Sequence, residues 1–142
     1  MTNQEKKQLA IAACQIRMGI IESTHGAKAG HPGGSLSSAE MFAYLYNKEL
    51  RIDPKQPKKA DRDRFVLSKG HSVETLYCIL ADRGYFDKAE LMETYSAYGS
   101  RFIGHPNNKI PGIEMNSGSL GHGLSVAVGM AKAGKMDGRD YH

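Results

Sequence analysis

Four of the six histidines follow a glycine directly, as Gly30-His31, Gly70-His71, Gly104-His105 and Gly121-His122. With 16 glycines among 142 residues, chance would supply fewer than one such pair. Two pairs run on into proline, as GHPGG at 30–34 and GHP at 104–106. Glycine lets the backbone take positive φ and lets a ligand or a second segment come close. Imidazole offers a donor, an acceptor or a proton near neutral pH. A single Gly-His pair is most simply a surface turn. Four together point to imidazoles held on tight loops around a small polar ligand.

Three segments carry this chemistry. GHPGGSLSSAE at 30–40 joins a glycine-rich turn to the start of a helix, where backbone amides attract anions. An ordinary helix connector would explain Pro32 and the glycines but not His31. RFVLSKGHS at 64–72 places Ser68, Lys69 and His71 beyond a short apolar run, at the kind of carboxyl-terminal strand end where α/β proteins bind ligands. In a plain βα turn Lys69 would point to solvent, and His71 is the stronger candidate. GSLGHG at 118–123 opens a helix with three glycines, in the order G-x-x-G-x-G. That order is not the dinucleotide fingerprint. It suits either close approach to a flat ligand or close packing of the helix. No H-x-H or HExxH spacing supports a metal site built from the histidines, and no G-x-S-x-G elbow supports a nucleophilic serine.

These loops need elements to hold them. Leu9, Ala12, Ala13, Ile16, Ile20 and Ile21 recur at helical spacing and predict a helix over about 4–25. Ser37 and Glu40 form an S-x-x-E capping pattern ahead of MFAYLY, predicting a helix to about Lys48. A polar, proline-bearing connection follows over 51–64. Phe65-Val66-Leu67 reads as a short buried strand, leading through SKGHS into a helix over VETLYCILADR. Gly84 fits the position after that helix, and Asp87 with Glu90 marks the next start. Residues 98–119 have little periodicity, and a loop of that length in a compact domain is usually functional. The final helix begins near Gly118–Gly121 and is apolar nearly all round, so it is expected to be buried.

Composition narrows the class. The length suits one domain, and no apolar run is long enough to span a bilayer. The N-terminus MTNQEKKQLA lacks an apolar signal core, so a cytoplasmic location is expected. Cys14 and Cys78 both fall within apolar helical patterns and are expected to be buried thiols, not a disulfide or a thiolate metal site. The net charge of +4 includes a basic cluster over 55–64, but Asp53, Asp61 and Asp63 interleave with it. Such mixed charge reads as a solvated loop and not as a nucleic-acid surface.

In order and spacing, GHPGG, LSSAE, ADRDRFVLSKGHS and FIGHPNNKIPGIEMNSGSLGHGLSVAVGMA resemble the N-terminal, thiamine diphosphate-binding part of transketolases, over about Ile16 to Met130. The Gly118-Ser119-Leu120 form resembles the separately encoded N-terminal subunits of split transketolases. The resemblance implies an α/β fold, mostly helical over these residues, with a short parallel-sheet strand near 65–67. It implies that residues 1–142 form an incomplete diphosphate-binding domain. The activity implied is transfer of a two-carbon ketol group from a ketose phosphate to an aldose phosphate. Thiamine diphosphate and Mg2+ are the implied cofactors. Sugar phosphates and a C-terminal transketolase subunit or domain are the implied partners, in a homo- or hetero-oligomer, with no nucleic acid or membrane.

By the same resemblance His31 and His105 face the reacting part of the cofactor and the ketose oxygens, as candidate catalytic residues. His71 lies near the diphosphate, and Gly118, Ser119 and Leu120 meet the aminopyrimidine through backbone groups. The sequence departs from the family pattern at His122, where glutamine is usual, and at Ala29, where serine is common. The Gly-Asp-Gly loop that holds the metal in the family is not among these residues, so the metal ligands are expected beyond residue 142. Two alternatives stand beside this reading. One is a non-catalytic, truncated fragment. The other is a different thiamine diphosphate-dependent synthase, such as the deoxyxylulose-phosphate type.

Overall fold

A computed structural model describes all of residues 1–142. Six α-helices form in chain order: α1 (Asn3–Ala27), α2 (Pro32–Leu36), α3 (Ala39–Tyr44), α4 (Val73–Asp82), α5 (Lys88–Thr94) and α6 (His122–Met136). A π-helical turn, Leu45–Glu49, continues α3, and a 3-10 turn, Gly70–Ser72, leads into α4.

The centre of the molecule is α4. Every residue from Val73 to Ala81 is buried, so this helix has neighbours on all sides. α1 packs across it through Ala13, Ile16, Gly19 and Ile20. A Cβ at Gly19 would stand 2.8 Å from Cys78 Sγ, so glycine there lets the two helices approach. α3 adds Phe42 and Ala43, and α5 adds Leu91. Burying a leucine, isoleucine or phenylalanine side chain contributes about 1.5–3 kcal/mol, and this core holds eleven large apolar or aromatic side chains almost without exposure. Burial pushes the Cys78 thiol up to about 12, so it behaves as a small hydrophobe.

Local signals set the helix ends. Thr2 and Glu5 close a reciprocal capping box on α1. Asp87 caps α5 by accepting from the Ala89 amide at 2.9 Å. Gly84, at φ +85°, reverses the chain after α4 as the sequence predicts.

Five expectations are corrected. No strand forms near 65–67, because no second segment runs alongside Phe65–Leu67 to build a ladder. Only its ends are tied: the Arg64 amide donates to the His142 carbonyl at 2.7 Å, and the Gly121 amide to the Ser68 carbonyl at 3.4 Å. The capping box at Ser37 and Glu40 does not form either. Ser37 Oγ donates to the Gly34 carbonyl and Glu40 pairs with Arg17, while Ser38 stands at the N-cap position. The second helix therefore starts at Ala39, and its last turn is π-helical. Cys14 is exposed, because it lies off the stripe of α1 that faces α4.

The last correction concerns α6, which is not buried. Only Gly123 and Gly134 are fully buried and Val126, Ala127 and Met130 are half-buried, while Leu124, Val128 and Met136 are 68%, 60% and 78% exposed. The helix rests on the rest of the chain through two glycines: Gly123 sits on the Ser68 backbone and Gly134 on the Tyr141 ring. The face bearing Leu124 and Val128 is left open.

Two ion-pair clusters fix the irregular segments. Arg62 and Glu114 form a largely buried bidentate pair, with one N–H···O bond of 2.9 Å, joining the 51–64 connection to the 98–119 loop. Asp63 accepts from the amides of Arg51 and His142, both at 2.8 Å, and from the Arg51 guanidinium at 3.2 Å.

Candidate functional site

The site is assembled at the N-terminal end of α4. His71 lies in the 3-10 turn that feeds this helix, and His31 stands immediately before α2. Their rings meet edge to face with centroids 5.2 Å apart. His105 arrives from the long loop. The position of a Cβ on Gly70 would be 3.3 Å from His105 Cδ2 and would collide with Ser117 Oγ. On the other side, a Cβ on Gly34 would be 3.5 Å from His71 Nε2 and would collide with Ser72 Oγ. Gly70 and Gly34 therefore make the room in which the three imidazoles gather. Three of the four Gly-His pairs converge, and His122 sits apart as the exposed first residue of α6.

Each loop is tied to the core by bonds that leave the imidazole free. The Tyr77 hydroxyl, on α4, lies 3.0 Å from the carbonyls of Ile103 and of His105. Burial raises the Tyr77 phenol well above its ordinary pKa, with the nearby Glu74 charge adding to the shift, so it stays protonated and donates. Lys69 does not point to solvent. Its ammonium donates to the Gly34 carbonyl at 2.6 Å and reaches Ser37 Oγ at 3.3 Å, tying SKGHS to GHPGG. Burial alone lowers the Lys69 pKa.

The GSLGHG segment lies against the same turn. The Gly121 amide donates to the Ser68 carbonyl at 3.4 Å, and Leu120 and Gly121 share an apolar cleft with Phe65–Lys69 and Met41. Gly118, Ser119 and Leu120 are all exposed, and nothing lies within 4 Å of where a Cβ on Gly118 would be. Their backbone is open to a ligand. Ser117 Oγ, just before them, is buried without a hydrogen-bond partner.

These features fit an organic cofactor with a flat ring and polar groups. The exposed Gly118–Leu120 backbone follows the buried, unpartnered Ser117 hydroxyl, which abuts Gly70 in the turn that bears His71. They do not fit a resident metal, since no group of three His, Cys, Asp or Glu side chains is placed to hold one.

Sequence reasoning missed Glu74, Tyr77 and Ser117. Glu74 and Tyr77 lie within an apolar helical run whose pattern speaks only of burial. Ser117 had no spacing signal beyond its place before GSLGHG.

Glycine-borne imidazoles gather at one end of a buried helix, beside a second helix opened by glycines, in an α-rich domain. Residues 7–142 match the family model described as "Transketolase, thiamine diphosphate binding domain", and the chain belongs to that family. It is 50% identical over 125 residues to an apulose-4-phosphate transketolase subunit of Phocaeicola vulgatus, covering 88% of this chain and 44% of that protein. It is 43% identical over 136 residues to the 6-deoxy-6-sulfo-D-fructose transketolase subunit SqwG of a Clostridium species, covering 95% of this chain and 49% of that protein. Among solved structures, the transketolase of Leishmania mexicana superposes with a TM-score of 0.84 at 36% identity, covering 88% of this chain and 19% of that one. The chain thus spans less than half the length of these relatives. No helix is long and apolar enough to cross a membrane.

Proposed function

We propose that this chain forms the thiamine diphosphate-binding part of a transketolase, which moves a two-carbon ketol unit from a ketose phosphate to an aldose phosphate. The observation that carries the proposal is the gathering of His31, His71 and His105 around Gly70 and Gly34. Similarity to relatives that are themselves single subunits of transketolases supports a separate C-terminal polypeptide, the other half of the enzyme, being the partner. A cytoplasmic location is part of the same reading.

When bound, thiamine diphosphate supplies the carbon nucleophile that carries the ketol unit. The protein orients the reactants and handles protons. His31 and His105 take the catalytic positions, where each imidazole holds a sugar oxygen or exchanges a proton with it. His71 donates to the diphosphate. Gly118, Ser119 and Leu120 offer backbone groups to the aminopyrimidine ring. Mg2+ would neutralise the diphosphate, held by ligands outside these residues.

The test is turnover by the assembled enzyme, this chain with its C-terminal partner, on xylulose 5-phosphate plus ribose 5-phosphate. Ketol transfer is expected. Turnover that depends on pyruvate instead would assign the chain to a different thiamine diphosphate-dependent synthase. No turnover by a correctly assembled, cofactor-loaded complex would leave the non-catalytic reading.

A further inference from the structure

Glu74 is a carboxylate in the middle of the core, 1% exposed, on the first turn of α4. No Lys, Arg or His forms an ion pair with it. Three neutral donors satisfy it instead. The backbone amide of His31 donates to Oε1 at 2.8 Å, the Tyr95 hydroxyl to the same oxygen at 2.7 Å, and the Ser35 hydroxyl to Oε2 at 2.5 Å. The Gly30 backbone packs directly on the carboxylate, and any Cβ there would collide with Oε1. Gly30 also holds φ at +126°, which side chains rarely adopt.

Taking a carboxylate out of water costs several kcal/mol unless its lone pairs are well satisfied. An apolar side chain would fill the same volume without that cost. What the carboxylate adds is direction. Its two oxygens hold residues on both sides of Pro32, so the peptide entering His31 and the first turn of α2 are both fixed relative to α4. The next turn back along the same path carries His71. Burial raises the Tyr95 phenol far above its ordinary pKa and the bond to Glu74 adds to that, which keeps this donor protonated.

We propose that Glu74 is a positioning residue for His31: through the His31 amide and the Ser35 hydroxyl it sets where the His31 imidazole stands beside His71. The inference deepens the transketolase reading and, in its activity arm, rests on it.

The test uses Glu74→Ala, Glu74→Gln and Tyr95→Phe, with two readouts. The first is amide hydrogen exchange at His31 in the enzyme assembled from this chain and its partner. The wild-type amide is expected to be protected and the Glu74→Ala amide to exchange at least tenfold faster. Glu74→Gln keeps an oxygen for His31 and Tyr95, so its protection should stay within about threefold of wild type. The second readout is steady-state turnover by the assembled enzyme. A displacement of about 1 Å in a reacting group costs on the order of 10²-fold. Glu74→Ala should therefore lower kcat for the ketose donor by about 10- to 100-fold per cofactor-loaded site, leave the acceptor KM unchanged, and be largely rescued in Glu74→Gln.

Unchanged His31 protection in Glu74→Ala would overturn the proposal. So would a Glu74→Gln enzyme as impaired as Glu74→Ala. If Glu74→Ala fails to fold, Tyr95→Phe decides: it removes a donor that shares Oε1, so the His31 amide and kcat should shift together, and unaltered values for both would overturn the idea. If wild-type assembly shows no ketol transfer while His31 exchange responds as stated, the transketolase reading fails and the positioning of His31 stands.

Discussion

Lys69 Nζ donates to the carbonyl oxygen of Gly34 at 2.6 Å, so the turn that carries His71 is bonded to the loop that carries His31. The bond joins segments 35 residues apart, and it works together with the ring contact between the two histidines. Lys69→Met keeps the apolar stem and removes the donor. The Gly34 carbonyl keeps its bond from Ser37 Oγ at 2.8 Å, so the loss is that of one hydrogen bond, about 0.5–1.5 kcal/mol. Denaturant titration of the 142-residue chain should show that loss, and an unchanged midpoint would mean the bond carries no stability.

His105→Ala should separate chemistry from folding. The anchor of this loop runs from the Tyr77 hydroxyl to the carbonyls of Ile103 and His105, and alanine keeps both carbonyls. Stability of the chain is therefore expected to stay within about 1 kcal/mol of wild type. Ketol transfer by the assembled enzyme should fall by ~10²–10⁴-fold, the usual worth of a placed acid–base group. Normal donor kinetics would remove His105 from the reaction.

Two glycines of α6 should respond oppositely to alanine. Nothing lies within 4 Å of a Cβ on Gly129, so Gly129→Ala should gain about 0.8–1 kcal/mol from helix propensity alone. A Cβ on Gly123 would stand 2.8 Å from Ser68 Cα, a backbone atom that cannot step aside. Overpacking of that kind costs about 1–3 kcal/mol, more than propensity returns. Gly123→Ala should therefore destabilise the chain and loosen the Gly121–Ser68 bond. Thermal unfolding of the two variants checks the signs.

Asp63 should be an acid-sensitive site. Burial pushes its pKa up, but the bonds from the His142 and Arg51 amides and the Arg51 guanidinium outweigh that, and the net shift is downward. A carboxylate with a lowered folded pKa contributes stability that is fully present above its ordinary value near 3.8 and is lost as pH falls through the folded value. Denaturant midpoints measured down from pH 6 should therefore drop more steeply in wild type than in Asp63→Asn, with the difference concentrated below about pH 4. Parallel curves would show that Asp63 is not linked to folding.

Alone, the chain should bind thiamine diphosphate with Mg2+ more weakly than micromolar. It offers one wall of the site and no cluster of ligands for the ion that neutralises the diphosphate. Isothermal titration checks this, and micromolar or tighter binding would show that the residues present complete the site.

Much of the site was legible because its chemistry is written locally. Each Gly-His pair names its own turn, and Gly84 and Asp87 announce their helix ends through side-chain-level rules. What was hidden depends on distant neighbours. Phe65-Val66-Leu67 has strand composition, but a strand exists only with a paired segment. The Ser37 capping pattern lost to competing partners, Gly34 for the serine and Arg17 for Glu40. The apolar pattern of α6 predicts burial, yet periodicity reports a preference for cover and cannot report whether cover is there. Nothing local marks Glu74, since its run speaks only of burial, and only the fold brings His31, Ser35 and Tyr95 to it.

The burial of α4 on all sides has a dynamic consequence. The His31 amide, the carbonyl of His105 and the turn bearing His71 all refer their positions to this one helix. Since α4 is packed on every side, it is the least mobile reference in the domain, and loops bonded to it share one frame. A substitution that shifted α4 would therefore displace all three histidine loops together, whereas one confined to a single loop would move only its own imidazole.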